Sequence, residues 1–348
     1  VHDHRKSTKK RGSGFFLLLL QRDSTTMLDL IRKPIAAAFK DYEKAFDEAI
    51  KTETYLLHQV LKYVRTQKGK EIRPHLVLLS AGLSGNVTPE SIKAAVSLEL
   101  LHTASLMHDD VVDNTYRRRS GFSVKALWNN KAAILVGDYY LSKSAFISSG
   151  ICQGRISELL AALGCELSEG EMMQLNNEKQ LIIDEPTYLE VIQKKTARTF
   201  AFCTQAGAIS ANAPADQEEK LRAFGEYLGM VFQIKDDIFD YFAQNKIGKP
   251  TSNDLREGKM TLPLIFALQT SEKALAKPIL NTIRNRDFTH EKLQQINQFV
   301  IKSGGIDYAE KRMTDFKDLA LEALSGFPDN AYKQALKVAV DYFMKRTF

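Results

Sequence analysis

The stretch TPESIKAAVSLELLHTASLMHDDVVD, from Thr88 to Asp113, decides the fold. It opens with a capping threonine, a proline at the first helical position and Glu90 in the first turn, the signals of a helix start. The pattern continues through Leu98, Leu101, Ser105 and Val112 and ends on Asp109–Asp110–Val111–Val112–Asp113. Positions four apart share a helix face, so Asp109 and Asp113 form a carboxylate pair on a long apolar helix. Like charges at that spacing repel, and a chain that keeps them there has a use for a cation.

Working outward, the same period recurs. Leu28, Ile31, Ile35, Phe39, Tyr42, Phe46 and Ile50 mark one face of an N-terminal helical segment. Further helices are predicted around 131–150, 154–180, 187–210, 261–270 and 308–325. Another begins near Asp216 and runs through Leu221, Phe224, Leu228, Val231 and Phe239. Alternating strands are scarce, no repeat of solenoid period is present, and nine prolines and nineteen glycines leave room for long helices. Breaks such as Asp184–Glu185–Pro186 and Ala213–Pro214 read as interhelix turns. The expectation is an all-α, single-domain helical bundle over residues 27–348, with 1–26 an upstream, tag-like segment set aside from the fold.

Composition narrows the function. Residues 1–26 hold six Lys/Arg against two Asp and so account for +4 of the net charge of +6, leaving a nearly balanced body. That argues against nucleic acid as a partner. Cys152, Cys165 and Cys203 make no CxxC pair and are odd in number, which predicts neither a disulfide framework nor a zinc site and fits a cytoplasmic location. The apolar run Phe15–Leu20 is far short of the ~20 residues that span a bilayer, and no transmembrane segment is expected.

The first acidic motif has a twin, Asp236–Asp237–Ile238–Phe239–Asp240, where Asp236 and Asp240 again share a face. One such motif alone fits a solvated acidic face as well as a metal site. Two of them in strongly apolar surroundings favour ligation, and hard carboxylate oxygens favour Mg²⁺ over zinc. Mg²⁺ on few protein ligands keeps positions open for substrate phosphates, and phosphates attract Arg and Lys. Candidates stand nearby: Arg117, Arg118 and Arg119 after the first motif, Lys249 and Lys259 after the second, and Lys70 and Arg73 earlier. His102 lies two turns before Asp109 on its face; a structural and a functional role both fit it.

These segments resemble the trans-polyprenyl diphosphate synthases. The resemblance rests on Gly69–Lys70–Glu71–Ile72–Arg73–Pro74, on His102 to Arg119 (HTASLMHDDVVDNTYRRR), on Lys195–Thr196, on Phe232 to Asp240 (FQIKDDIFD) and on Gly248 to Pro263 (GKPTSNDLREGKMTLP). It implies an all-α bundle around a central cavity, a homodimer, and Mg²⁺-dependent condensation of an allylic diphosphate such as farnesyl diphosphate with isopentenyl diphosphate. By the same resemblance Asp109, Asp113 and Asp236 are the main metal ligands, and Asp110, Asp237 and Asp240 are supporting acids. Arg118, Lys195 and Lys249 would grip the allylic diphosphate; Lys70, Arg73, His102 and Arg119 would hold isopentenyl diphosphate. Thr196 and Gln233 would face the allylic carbocation. Lys68, the extra Arg117 and Ser252–Asn253 depart from the family pattern without removing a matched ligand.

Ala104 and Ser105, one turn before Asp109, stand where short-chain members often carry aromatic side chains that stop the growing chain. Their small size predicts a product longer than farnesyl diphosphate, in the octaprenyl range and membrane-seeking, with Leu101 or Phe146 as deeper floors. Close packing against a neighbouring helix is the other reading of two small residues. The remaining alternatives are a short-chain farnesyl or geranylgeranyl synthase, a terpene cyclase, and a non-catalytic subunit of a synthase.

Overall fold

The computed structural model describes residues 26–118, 121–242 and 253–346. Nearly all of these are helical. Pro34 divides the N-terminal segment: residues 26–32 are helical, Lys33–Ile35 form a 3-10 turn, and α1 runs Ala36–Ala49. Ile31, Ile35, Tyr42 and Phe46 are buried, so the predicted face is the inward one.

After α1 come α2 (Tyr55–Thr66), α3 (Ile72–Ser84) and α4 (Pro89–Val112). The start of α4 is a capping box: Thr88 Oγ1 accepts from the Ser91 amide while the Ser91 hydroxyl accepts from the Thr88 amide. A short hairpin follows, β1 (Arg117–Arg118) pairing antiparallel with β2 (Gly121–Phe122). Then come α5 (Val124–Leu127), α6 (Asn130–Ser149), α7 (Gly154–Gln180), α8 (Glu185–Ile192), a π turn (Gln193–Ala197), α9 (Arg198–Ser210) and α10 (Ala215–Phe242). The C-terminal third holds α11 (Asn253–Glu257), α12 (Leu262–Thr270), α13 (Lys273–Arg284), α14 (His290–Lys302), α15 (Gly305–Ala323) and α16 (Ala331–Lys345).

Three differences from the sequence reading have physical causes. The predicted 187–210 helix is broken by the π turn, in which Lys195 and Thr196 sit. Helix α3 went unpredicted because residues 74–83 are buried on every side, and an all-round apolar helix shows no stripe. Helix α13 carries Pro278 in its interior, which reads as a break until tertiary packing overrides it.

The closest packings are α4 on α6, α9 on both α3 and α10, and α10 on α15. Their apolar residues join one core that runs from Ile31 to Phe343. Backbones approach most closely between α9 and α10. Gly225 and Gly229 stand one turn apart on α10, and a Cβ on Gly225 would lie 2.2 Å from Thr204 Oγ1 and 2.3 Å from the Phe200 carbonyl oxygen. At Gly229 it would meet Ala197 Cα at 2.5 Å, at the end of the π turn. The two glycines thus draw α10, with its acidic motif, against the segment that carries Lys195 and Thr196.

Candidate active site

A cavity of ≈280 Å³ opens between α4, α7, α8, the π turn and α10. Asp109 and Asp113 line one wall and Asp237 and Gln233 another, with Lys195 and Thr196 between them. Asp254 and Lys259 close the rim. The two aspartate motifs, 127 positions apart at their first residues, therefore serve one space. π turns are frequent at functional sites, because the extra residue re-aims the side chains that follow; here it turns both Lys195 and Thr196 to the cavity.

On the first motif, burial, Glu171 and Asp113 push the Asp109 carboxyl up to about 6. Glu171 of α7 is thus a third acid at the motif, and its Oε2 pairs with Lys195 Nζ at 2.5 Å while Gln174 Oε1 accepts from the same ammonium at 2.6 Å. Asp110 is turned away from the cavity and buried. Its Oδ1 accepts from Arg118 Nε at 2.7 Å, while its Oδ2 has no hydrogen-bond partner. Burial raises the Asp110 carboxyl in spite of Arg118. The pair fixes Arg118 beside the motif, 29% exposed and able to reach an anion.

The second motif is organised differently. Asp237 is buried; its Oδ2 accepts from the Tyr188 hydroxyl at 2.7 Å and its Oδ1 from Gln233 Nε2 at 2.8 Å. The Gln233 Oε1 accepts from Thr196 Oγ1 at 2.8 Å. Asp240 Oδ2 accepts from the Asp254 amide at 3.1 Å, which ties α11 to α10. Asp236 pairs with Arg346, just beyond the end of α16, and that guanidinium also donates to the Phe232 carbonyl and lies 4.1 Å over the Phe232 ring.

Lys70 and Arg73 lie close to this aromatic group. Lys70 Nζ sits 5.3 Å over the Tyr342 ring and Arg73 5.6 Å over Phe200, whose ring packs on Phe232 and Phe343. The intervening Glu71 adopts the left-handed conformation (φ 51°) at the start of α3 and holds Arg65 at 2.9 Å. Arg32 donates to the Lys70 carbonyl and to His75, whose imidazole burial brings down to about 4. His102 is half-buried on α4. Arg119 and Lys249 lie outside the described residues.

The chain-length positions separate. Ser105 lies one turn from Asp109 on its side of α4. Ala104 is buried and shares its face with His108, which contacts the Ile134 carbonyl and Asp138 of α6. Leu101 is buried as well, and Phe146 is 74% exposed on the outside of α6, so it does not close a tunnel within this protomer. None of the four lines the cavity.

Glu171, Tyr188 and Arg346 escaped the sequence reading. Tyr188 precedes Lys195 by seven residues, two helical turns, the spacing that had singled out His102. Glu171 and Arg346 carry no such signal, since their roles arise from packing α7 and α16 against the two motifs.

Among the described residues no three acidic, histidine or cysteine side chains converge into a closed metal cage. Asp109, Asp113, Asp237 and Asp254 instead face an open cleft with Lys195 and Lys259 at hand, a donor set that suits a hard divalent ion sharing its coordination with phosphate, whereas Asp110, Asp236 and Asp240 do not line it. Arg73 Nε is buried without a hydrogen-bond partner.

The polyprenyl synthetase family model matches residues 54–300. An all-trans-nonaprenyl-diphosphate synthase (geranyl-diphosphate specific) from Rhodobacter capsulatus is 36% identical over 308 residues, 88% of this chain and 94% of that protein. Among solved structures, a polyprenyl synthase from Caulobacter crescentus CB15 complexed with calcium and isoprenyl diphosphate superposes with a TM-score of 0.85 at 31% identity, covering 92% of this chain and 98% of that one. A geranylgeranyl pyrophosphate synthase from Bacteroides thetaiotaomicron gives a TM-score of 0.80 at 39% identity, covering 92% and 100%.

Proposed function

Because this chain belongs to the polyprenyl synthetase family and is a prenyltransferase, we propose that it condenses an allylic diphosphate with isopentenyl diphosphate, repeatedly, to a long-chain all-trans polyprenyl diphosphate. The observation that carries this reading is the single cavity shared by Asp109, Asp113, Lys195, Thr196, Gln233 and Asp237.

Asp109, Asp113 and Asp236 would hold Mg²⁺, with Asp110, Asp237 and Asp240 in support. When bound, the metal neutralises charge on the departing diphosphate. Lys195, Arg118 and Lys249 bind that diphosphate, and Lys195 exchanges its bonds to Glu171 and Gln174 for phosphate oxygens as it does so. Lys70, Arg73, His102 and Arg119 orient isopentenyl diphosphate. Breaking the allylic C–O bond leaves a carbocation; the double bond of isopentenyl diphosphate attacks it, and the released diphosphate takes the proton whose loss restores an allylic product. The oxygens of Thr196 and Gln233 face the cation with their negative ends, and Ile182, Val191, Ile192, Met260 and Ile265 give the cavity an apolar part where water is disfavoured.

The small Ser105, on the Asp109 side of α4, supports a product longer than farnesyl diphosphate, and the nonaprenyl-forming relative points the same way. The likeness to a geranylgeranyl synthase favours a shorter one. A homodimer is supported by the outer surface of α6, where Ile134, Leu135, Leu141 and Phe146 are 43–74% exposed. No helix among the described residues is long and apolar enough to cross a membrane. The three free cysteines, two of them exposed, support a cytoplasmic location.

The test is incorporation of labelled isopentenyl diphosphate into extractable product with farnesyl diphosphate and Mg²⁺. Incorporation that EDTA and Asp109→Ala both abolish is expected. Incorporation that survives both contradicts the metal assignment, and none from any primer favours a non-catalytic subunit.

A further inference from the structure

Tyr188 has no part in the reaction as described above, yet it lines the cavity and is only 7% exposed. Its hydroxyl donates to Asp237 Oδ2, and the other oxygen of that carboxylate accepts from the Gln233 amide nitrogen. The Gln233 carbonyl oxygen then takes the Thr196 hydroxyl. These bonds run in one direction. Both Asp237 oxygens accept, so Gln233 meets it with the NH₂ group and its amide oxygen is left for Thr196 and the cavity. Tyr188 occupies the second oxygen of Asp237 and keeps the carboxylate from rotating away from this task.

We propose that Tyr188 is a positioning residue for the allylic carbocation: through Asp237 it holds the negative end of the Gln233 dipole toward the reacting carbon. This rests on the prenyl-transfer reading above. Without the hydroxyl, Asp237 Oδ2 is left unpaired in a buried wall or draws in a water molecule. A loosened Gln233 can turn its NH₂ group to the cation, which then loses stabilisation. A water molecule admitted at Asp237 stands close enough to compete with isopentenyl diphosphate. The allylic C–O bond to diphosphate is already broken when the cation forms; water then makes a new C–O bond to that carbon and passes one of its protons to the released diphosphate. The product is the allylic alcohol in place of an elongated chain.

Tyr188→Phe tests the proposal in the full chain, with farnesyl diphosphate, isopentenyl diphosphate and Mg²⁺. Tyr241→Phe serves as control, because that tyrosine is equally buried and its hydroxyl bonds Thr261, outside the Thr196–Gln233–Asp237 line. Tyr188→Phe is expected to lower kcat by roughly 10–100-fold, the range seen when a supporting hydrogen bond behind a reactive group is lost. KM for both substrates stays near wild type, and the fraction of turnovers ending in farnesol rises severalfold. Calorimetric binding of an unreactive farnesyl diphosphate analogue is expected to stay unchanged. The control shifts the melting temperature without raising farnesol. An unchanged farnesol fraction in Tyr188→Phe overturns the proposal, as does a rise of the same size in the control. Should Tyr188→Phe not fold, Gln233→Leu reads the same line of bonds, and an unchanged farnesol fraction there overturns it equally. A wild-type chain that elongates nothing overturns the prenyl-transfer reading itself.

Discussion

Asp109 shows how an acid crowded into the cavity wall strains the protein that carries it. In the unfolded chain its carboxyl titrates at 3.8, whereas in the folded chain burial, Glu171 and Asp113 hold the proton until about 6. The folded state therefore binds more protons between those values, and its stability falls as pH rises through that window and stays lowered above it. The cost at neutral pH is about 1–3 kcal/mol in the absence of metal. Asp109→Asn removes it. The metal-free variant is expected to melt above the metal-free wild type at pH 7.5 and with it near pH 4; equal melting at both values would contradict the assignment. Much of this was legible in advance, since the i, i+4 spacing of Asp109 and Asp113 announces a repulsion that needs a cation. Glu171, which adds to it, was not, because nothing within the chain sets α7 against α4 until the bundle forms.

At the scale of elements, the meeting of α9 and α10 governs the site. Gly225 and Gly229 allow the two backbones to touch, and the Thr196–Gln233 hydrogen bond spans the seam they create. Gly225→Ala places a methyl group against Thr204 and the Phe200 carbonyl. Overpacking of this kind costs about 1–3 kcal/mol. Chemical denaturation should register that loss, and elongation should fall by more than stability alone explains because Gln233 moves with α10. Full activity at reduced stability would show that the seam is structural only. The sequence pattern revealed α1, α4, α6, α7, α10, α12 and α15, of which α1, α10 and α15 are clearly one-sided. It failed for α3, which is apolar all round, and it could not see the π turn, whose one-residue offset leaves no trace in composition. The family resemblance supplied Lys195 and Thr196; their delivery by a π turn is a property of the packed chain.

For the whole molecule, helix α6 both packs on α4, which carries the first acidic motif, and presents an apolar outer face. Helix α6 buries Ala133, Val136 and Tyr140 under α4 and turns Leu135 and Phe146 outward, 66% and 74% exposed. Large apolar side chains exposed on one helix face are what the proposed dimer would cover. The double variant Leu135→Glu, Phe146→Glu is expected to sediment as a monomer where the wild type sediments as a dimer; an unchanged dimer would place the interface elsewhere. Phe146 illustrates the limit of sequence reasoning at this scale. Its position on a helix beside α4 made it a candidate tunnel floor, but helical phase turns it to the outer surface. Ala104 and Ser105, adjacent in sequence, likewise divide between the α6 contact and the side that bears Asp109.

The central claim, repeated elongation in a cleft built by the two aspartate motifs, is tested most directly by product chain length. The purified chain is incubated with farnesyl diphosphate, labelled isopentenyl diphosphate and Mg²⁺, and the dephosphorylated products are separated by length. A ladder that grows with time and ends at one product well beyond geranylgeraniol is the predicted result. A reaction that stops at a single added isoprene unit would contradict it.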